Sequence, residues 1–325
     1  MRINPYSHCR LRGGFRGTER PWWTPGPASG GFGPRELRGR ATYAARPVEA
    51  PAVPLAIGPN GLAYEFAGEG TEPLVLVHGS WSDRTSWNRL VPVLSSGFRM
   101  LQYDRRGHGE SPAVPGLRSV SWEADELAEL LLDADHFPAH ILGTSYGAAV
   151  ALSLTVRRPE LVRSVIVHEP PLVAWPTIEE RPEVRSARLE LDSYARRFRT
   201  AVPEEAAREF AERFVTGPGG FDRLPEETRV AFRDGAPAWP DELSALERVD
   251  LDPSLLESVD LPALVTHGEV SPLYLRKITE AVADSIPNVT RQALRGAGHF
   301  PHVSHPALFG GAVLTFALER NVPPS

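Results

Sequence analysis

Residues 139–149 read AHILGTSYGAA and combine a strand-like run, a glycine-rich turn and the start of a helical pattern. The apolar run at its start is typical of a strand buried on both faces, and the pattern from Tyr146 to Val156 is typical of a helix. The glycines of GTSYG permit a sharp strand-to-helix turn with Ser145 at its tip. Such a turn presents the serine hydroxyl at the carboxyl edge of a sheet and directs the N-terminus of the next helix at it. The motif alone also fits an ordinary glycine-rich turn, but in this setting it predicts that Ser145 is a nucleophile.

Apolar runs typical of buried strands alternate with helical patterns along the rest of the chain. Strand-like runs lie at residues 74–77, 100–103, 162–167, 263–266 and 289–294, and helical patterns lie at residues 85–94, 122–132, 146–156, 273–286 and 306–318. This alternation predicts βαβ units and a mostly parallel central sheet flanked by helices. Ahead of it, residues 53–57 and 62–66 flank the turn sequence GPNG and predict a hairpin.

Composition divides the chain into three parts. Residues 1–50 contain 8 Gly, 6 Pro and 9 Arg without an apolar period. They predict a disordered N-terminal extension or residues upstream of the true start, rather than a targeting segment. Residues 51–171 and 259–325 carry the alternation of strands and helices and predict the core. Residues 172–258 are charged and helical in pattern, and their position between two strands predicts a helical lid inserted after strand six.

Charge and cysteine content limit the partners and the compartment. The net charge of −6 gives no indication of a nucleic-acid partner. Cys9 is the only cysteine, which excludes an intrachain disulfide; this suits a cytoplasmic protein, and a secreted enzyme without disulfides is the alternative. The longest strongly apolar stretch, residues 147–156, is far shorter than the roughly 20 residues that span a bilayer, so we expect no integral membrane association. The oligomeric state stays open.

A second turn, LVHGSW at residues 76–81, follows another predicted strand. A His-Gly-X turn in that position can direct the backbone N–H of Ser80 toward the serine turn. Together with the N–H of Tyr146, directly after Ser145, it would form an oxyanion hole, in which each donor is commonly worth about 10²–10³ in rate. An ordinary βα turn is the alternative, and in either case we expect His78 to be structural.

A third feature, GAGHF at residues 296–300, follows the final strand-like run. A histidine on a glycine-rich loop suits a general base, because histidine side chains generally titrate near neutral pH. We therefore expect His299 to take the proton of Ser145 and to return it to the leaving group. His302 and His305 are its nearest histidine neighbours and are expected in a loop or at a helix start.

Four motifs occur in the order in which α/β-hydrolases carry them. They are VHGS at 77–80, YDRRGHGES at 103–111, GTSYG at 143–147 and GHF at 298–300. From about residue 53 onward the chain therefore resembles the α/β-hydrolase superfamily. The resemblance implies the α/β-hydrolase fold and a serine hydrolase that acts on a small-molecule substrate, for which we expect neither a metal nor an organic cofactor. It also implies that Asp104 belongs to a structural loop after strand four.

The acid is where the chain departs from that family. Most relatives carry an Asp after strand seven, in Gly-x-x-Asp-Pro, whereas residues 266–272 read THGEVSP with Ser271 at that position. A hydroxyl cannot supply the negative charge that stabilises an imidazolium. Some members, including a subset of haloalkane dehalogenases, place the acid after strand six, where this chain has Glu169 followed by two prolines that restrict the backbone. Glu169 is therefore the expected acid, and Glu269 is the alternative.

The expected reaction is hydrolysis of a carboxylic ester or thioester through an acyl-enzyme intermediate on Ser145. Because the serine turn suits related reactions, C–C bond hydrolysis and cofactor-free, haloperoxidase-like perhydrolysis stay open as alternatives. The missing Asp leaves an alternative of another class, a non-catalytic ligand-binding protein with the hydrolase fold. The predicted lid would set substrate specificity, which the fold alone does not determine.

The N-terminal extension is expected to be dispensable. Removal of residues 1–50 should leave folding and catalysis intact, because the segment has no apolar pattern with which to join a core. Thermal melting followed by circular dichroism, together with ester hydrolysis, would measure this on a chain that starts near Ala50. A truncated chain that fails to fold would contradict the prediction.

Overall fold

The structure, a computed structural model, describes residues 55–114, 119–175, 178–198, 202–247 and 251–319. The predicted N-terminal extension, residues 1–50, lies outside the described residues. Within the described ranges, no helix is both long enough and apolar enough to cross a membrane.

The described strands form one eight-stranded sheet in the order β1-β2-β4-β3-β5-β6-β7-β8. They are β1 (Ala56–Ile57), β2 (Ala63–Ala67), β3 (Glu72–Val77), β4 (Phe98–Tyr103), β5 (Ala139–Thr144), β6 (Val162–His168), β7 (Ala263–Gly268) and β8 (Val289–Leu294). β2 pairs antiparallel with β1 and with β4, and the other neighbouring pairs are parallel. The predicted mostly parallel sheet is confirmed, and the turn at GPNG joins β1 to β2 as expected.

Helices flank the sheet. They are α1 (Val91–Leu94), α2 (Val120–Asp133), α3 (Tyr146–Arg157), α4 (Pro182–Phe198), α5 (Pro203–Phe210), α6 (Glu226–Gly235), α7 (Trp239–Glu247), α8 (Pro253–Glu257), α9 (Leu273–Asp284), α10 (Pro301–Ser304) and α11 (Pro306–Glu319). α2 packs against α3, and α1 packs against α11. Apolar side chains such as Leu76, Phe98 and Phe309 are buried in one cluster between strands and helices. Full burial of a side chain of this kind contributes about 1.5–3 kcal/mol.

The predicted helix at residues 85–94 forms as two short turns instead. A 3₁₀ turn covers Arg84–Trp87, and α1 begins only afterwards. In one continuous helix, the residue at position 92 would donate its N–H to the carbonyl of Asn88, but Pro92 has no N–H. In the observed structure Pro92 lies in the first turn of α1, where a helix needs no such donor. The prediction of one continuous helix is wrong for this reason.

Residues 172–258, called the helical insertion below, join β6 to β7. Their described part contains α4 to α8, with a π-helical turn, Ala211–Thr216, that continues α5. Aromatic rings attach this segment to the core, since the ring of Trp81 lies 4.8 Å from that of Phe210 and 5.6 Å from that of Trp239. The helical character predicted for the insertion is confirmed, and its action as a lid stays a prediction.

Candidate active site

Ser145 lies directly after β5 and directly before α3, at the tip of the predicted turn. Its backbone has φ 52° and ψ −126°, outside the regions that L-residues prefer. Residues held in such conformations cost of order 1–3 kcal/mol and are concentrated at functional sites. Ser145 N donates a hydrogen bond to His168 O at 2.9 Å, which ties the turn to the end of the neighbouring strand β6.

Two glycines let the end of β3 approach the serine turn. A Cβ on Gly147 would lie 2.2 Å from Val77 O, and a Cβ on Gly79 would lie 3.0 Å from the Ser145 Cβ. The first distance is shorter than any real contact of a Cβ atom, so position 147 requires glycine. Because of this close approach, Gly79 and Ser80 lie on the wall of the same cavity as Ser145.

The two predicted oxyanion donors belong to the segments that meet here. Ser80 lines the cavity, and Tyr146 is the first residue of α3. The first N–H groups of a helix have no partner within that helix, and the helix dipole adds positive potential at the same end. The turn therefore offers a favourable environment for negative charge. That these two N–H groups bind an oxyanion stays a prediction.

His299 and Glu169 form a buried hydrogen-bonded pair. His299 Nδ1 lies 2.6 Å from Glu169 Oε2, and the Glu169 side chain is fully buried. Glu169 lies directly after β6 with a left-handed φ of 48°, and its other oxygen accepts a hydrogen bond from Gly268 N at 2.7 Å. His299 lines the same cavity as Ser145. Because Nδ1 is bound to the carboxylate, Nε2 is the nitrogen left to take a proton.

The other carboxylates considered from the sequence lie elsewhere. Glu269 is exposed and accepts a hydrogen bond from Gly296 N at 2.9 Å. Asp104 is buried and accepts hydrogen bonds from two backbone N–H groups at 2.8 and 2.9 Å, as expected of a residue that fixes a loop. Of the carboxylates weighed from the sequence, it is Glu169 that contacts His299.

Glu169 is ionised in spite of its burial. Burial by itself raises the pKa of this carboxyl group, but His168, which is protonated at the low pH where Glu169 titrates, and the hydrogen bond to His299 lower the pKa to about 2. Burial lowers the pKa of His168 to about 4, so this ring is neutral near pH 7, and its Nδ1 lies 2.9 Å from Thr266 Oγ1. A buried carboxylate in this position can stabilise positive charge on His299.

His302 was not selected as a site residue from the sequence, yet it also lines the cavity. It lies in α10, is 5% exposed, and its ring centroid is 4.9 Å from that of Trp87. Burial, reinforced by His168 and His299, lowers the pKa of His302 to about 3, so the ring is neutral. Its position three residues after His299 was visible in the sequence, but His299 lies before α10, so helical spacing could not have predicted that both residues line one cavity.

The cavity beside Ser145 has mostly apolar walls, and the helical insertion supplies much of them. The insertion contributes Val173, Leu191, Phe210, Val215, Phe232, Trp239, Leu243 and Leu246. None of the described residues that line the cavity is Asp, Glu, Lys or Arg. An apolar cavity with a few convergent polar groups is typical of sites for small molecules.

Sequence comparison identifies relatives that match most of this chain. A pimeloyl-[acyl-carrier protein] methyl ester esterase of Yersinia enterocolitica is 30% identical over 272 residues, which cover 80% of this chain and 98% of the relative. A putative 2-succinyl-6-hydroxy-2,4-cyclohexadiene-1-carboxylate synthase of Bacillus subtilis is 28% identical and covers 79% of this chain and 95% of the relative.

Solved structures share the fold. A hydrolase from Pseudomonas aeruginosa superimposes with a TM-score of 0.68 at 26% identity, covering 82% of this chain and 98% of that one. A thermophilic esterase from Thermogutta terrifontis superimposes with a TM-score of 0.66 at 26% identity, covering 82% and 97%. The expected enzyme class, an esterase-like hydrolase, is confirmed, and the non-catalytic alternative is set aside. Since the model of the alpha/beta hydrolase family matches residues 74–312, the chain belongs to that family.

Proposed function

We propose that this protein is a serine hydrolase that cleaves a small-molecule carboxylic ester or thioester through an acyl-enzyme intermediate. The observation that carries the proposal is the 2.6 Å contact between His299 Nδ1 and Glu169 Oε2, beside a cavity that Ser145 also lines. A serine in a strained turn, an imidazole and a buried carboxylate are the groups that nucleophilic acyl transfer requires. Family membership and relatives named as esterases support the same reaction.

The first half-reaction acylates Ser145. His299 Nε2 takes the proton from Ser145 Oγ while the oxygen attacks the carbonyl carbon of the ester. The N–H groups of Ser80 and Tyr146 bind the oxyanion of the tetrahedral intermediate. When the intermediate collapses, the bond to the leaving group breaks, and His299 returns the proton to the departing alcohol or thiol.

The second half-reaction releases the acid. His299 takes a proton from a water molecule, whose oxygen attacks the acyl carbon, and Ser145 leaves with the proton that His299 returns. In both halves the imidazolium is transient. Glu169 keeps the ring in the tautomer with its proton on Nδ1 and stabilises the charged form.

The apolar walls of the cavity favour a substrate whose enclosed part, the acyl or the alcohol group, is uncharged and largely apolar. Its walls come from the helical insertion, so this segment would set specificity and would act as the lid. Shielding from water also strengthens the electrostatic contacts to the oxyanion. We expect the enzyme to act in the cytoplasm, which suits its single cysteine.

Replacement of Ser145 by Ala is expected to abolish hydrolysis of p-nitrophenyl esters and labelling by a fluorophosphonate, because both need the activated oxygen. Release of p-nitrophenolate and a fluorescent gel would measure the two effects. Ser258→Ala is the matched control, since Ser258 is an exposed serine of the helical insertion. If Ser145→Ala labels as strongly as the wild type, the proposal is wrong.

Assays with a diketone and with a peroxide, run beside a series of esters, would distinguish the alternative reactions. We expect slower turnover of the diketone and the peroxide than of the best ester.

Glu169→Gln is expected to lower kcat by about 10⁴, the loss seen when the carboxylate of such a triad becomes an amide. Steady-state kinetics on the same ester would measure it. Glu269→Gln is the matched control and should change kcat little, because this exposed side chain bonds Gly296 N and not His299. Opposite results from the two variants would transfer the acid role to Glu269.

A further inference from the structure

Arg105 is a buried cation behind the turn that carries Ser80. It follows β4, and its side chain is 1% exposed. Its Nε donates a hydrogen bond to His78 O at 2.9 Å, and its Nη2 donates one to Gly79 O at 3.0 Å. The guanidinium therefore holds the two carbonyl groups that immediately precede Ser80. A planar guanidinium with several donors is suited to fixing such a turn.

The same guanidinium contacts the helix that follows the nucleophile. Its Cζ lies 4.5 Å from the centroid of the Tyr146 ring. Its Nη1 donates a hydrogen bond to Glu123 Oε2 at 2.8 Å, and the Tyr146 hydroxyl donates one to Glu123 Oε1 at 3.0 Å. Arg105 thus contacts the backbone of the turn before Ser80 and the side-chain ring of Tyr146, the first residue of α3.

The helical insertion supplies the second anion of this cluster. Glu242, in α7, is 1% exposed and accepts a hydrogen bond from Arg105 Nη2, the nitrogen that also holds Gly79 O. His108 Nε2 lies 3.3 Å from the same carboxylate oxygen. One guanidinium nitrogen therefore joins the insertion to the turn before Ser80.

Both partners of this pair are charged. Burial by itself raises the pKa of Glu242, but Arg105, His108 and Ser80 hold the pKa well below its usual range. Burial by itself lowers the pKa of Arg105. The carboxylates of Glu242 and Glu123 raise the pKa by more than burial lowers it, so the net shift is upward. Removing one member of such a buried pair is strongly unfavourable, because it leaves an uncompensated charge in the interior.

A second contact between the insertion and the core provides a contrast. Arg89 donates a hydrogen bond to Glu227 at 3.0 Å, but these side chains are 51% and 63% exposed. Exposed ion pairs of this kind contribute little, because solvent screens them. Glu227 therefore resembles Glu242 in charge and in joining the insertion to the core, and differs in burial and in lacking the link to Gly79.

We infer that Glu242 is a positioning residue, through which docking of the helical insertion fixes the oxyanion-binding turn by way of Arg105. The inference rests on the proposed function, since it assigns the turn at Ser80 to an oxyanion. Without the carboxylate, Nη2 is drawn toward other acceptors and its hold on Gly79 O loosens. Gly79 O then keeps only the hydrogen bond from His78 Nδ1 at 2.8 Å, so the Ser80 N–H is aimed less firmly, and a donor that must be pre-aimed at developing charge contributes less. The site is complete only with the insertion docked over it.

Inhibition by a ketone pair tests this role. Ser145 Oγ attacks the carbonyl carbon of an alkyl trifluoromethyl ketone, and the carbonyl oxygen becomes an oxyanion bound to the enzyme. The matching methyl ketone binds largely without forming this covalent adduct. In Glu242→Gln the Ki of the trifluoromethyl ketone should rise about tenfold or more, a fraction of the 10²–10³ lost with a whole donor. The Ki of the methyl ketone should stay within about twofold. Because Ki does not depend on the fraction of active protein, partial misfolding alone would not produce this split.

Glu227→Gln is the control and should change neither Ki. Equal Ki values for the trifluoromethyl ketone in Glu242→Gln and the wild type would overturn the inference, as would an equal rise for both ketones. If Glu242→Gln does not fold, Glu242→Asp keeps the charge but shortens its reach, and an unchanged Ki there would overturn the inference as well. A wild-type protein that neither hydrolyses esters nor binds the trifluoromethyl ketone more tightly than the methyl ketone would instead refute the proposed function.

Discussion

The hydrogen bond between His299 and Glu169, 2.6 Å long and buried, is the contact on which the rest of the site depends. It follows from the parallel sheet, in which β5, β6 and β7 are neighbours and end at one edge. Ser145 directly follows β5 and Glu169 directly follows β6, so the proposed nucleophile and the proposed acid leave adjacent strands. Both have positive φ angles, 52° and 48°, which turn the chain sharply where each strand ends. The backbone conformation at the ends of β5 and β6 thus fixes the positions of Ser145 and Glu169.

The same contact explains how the chain manages without an Asp at position 271. A buried carboxylate is costly unless its oxygens are hydrogen-bonded. Glu169 meets this condition, because one oxygen faces His299 Nδ1 and the other accepts from Gly268 N at 2.7 Å. Under the proposed mechanism the end of β6 therefore supplies the carboxylate, and Gly268 at the end of β7 fixes it through its backbone N–H.

Much of the fold could be predicted from sequence, because short apolar runs and glycine turns encode it locally. The proposal of Glu169 as the acid came from the resemblance to the family, and the parallel sheet places this residue at the same edge as Ser145. Two features were missed. Pro92 divides a helical pattern that apolar periodicity alone presents as continuous, although the proline itself is a local signal. The contact of Arg105 with Glu242 joins residues 137 positions apart, and only the path of the helical insertion brings them together.

The NMR signal of the proton on His299 Nδ1, measured on protein labelled with ¹⁵N in its histidines, tests most directly whether Glu169 orients this ring. A strong, buried bond to a carboxylate shifts such a proton far downfield and slows its exchange with water. We predict a far-downfield resonance in the wild type and in Glu269→Gln, and its loss in Glu169→Gln and His299→Ala. A resonance that survives in Glu169→Gln and disappears in Glu269→Gln would contradict the central claim that Glu169 orients the catalytic imidazole.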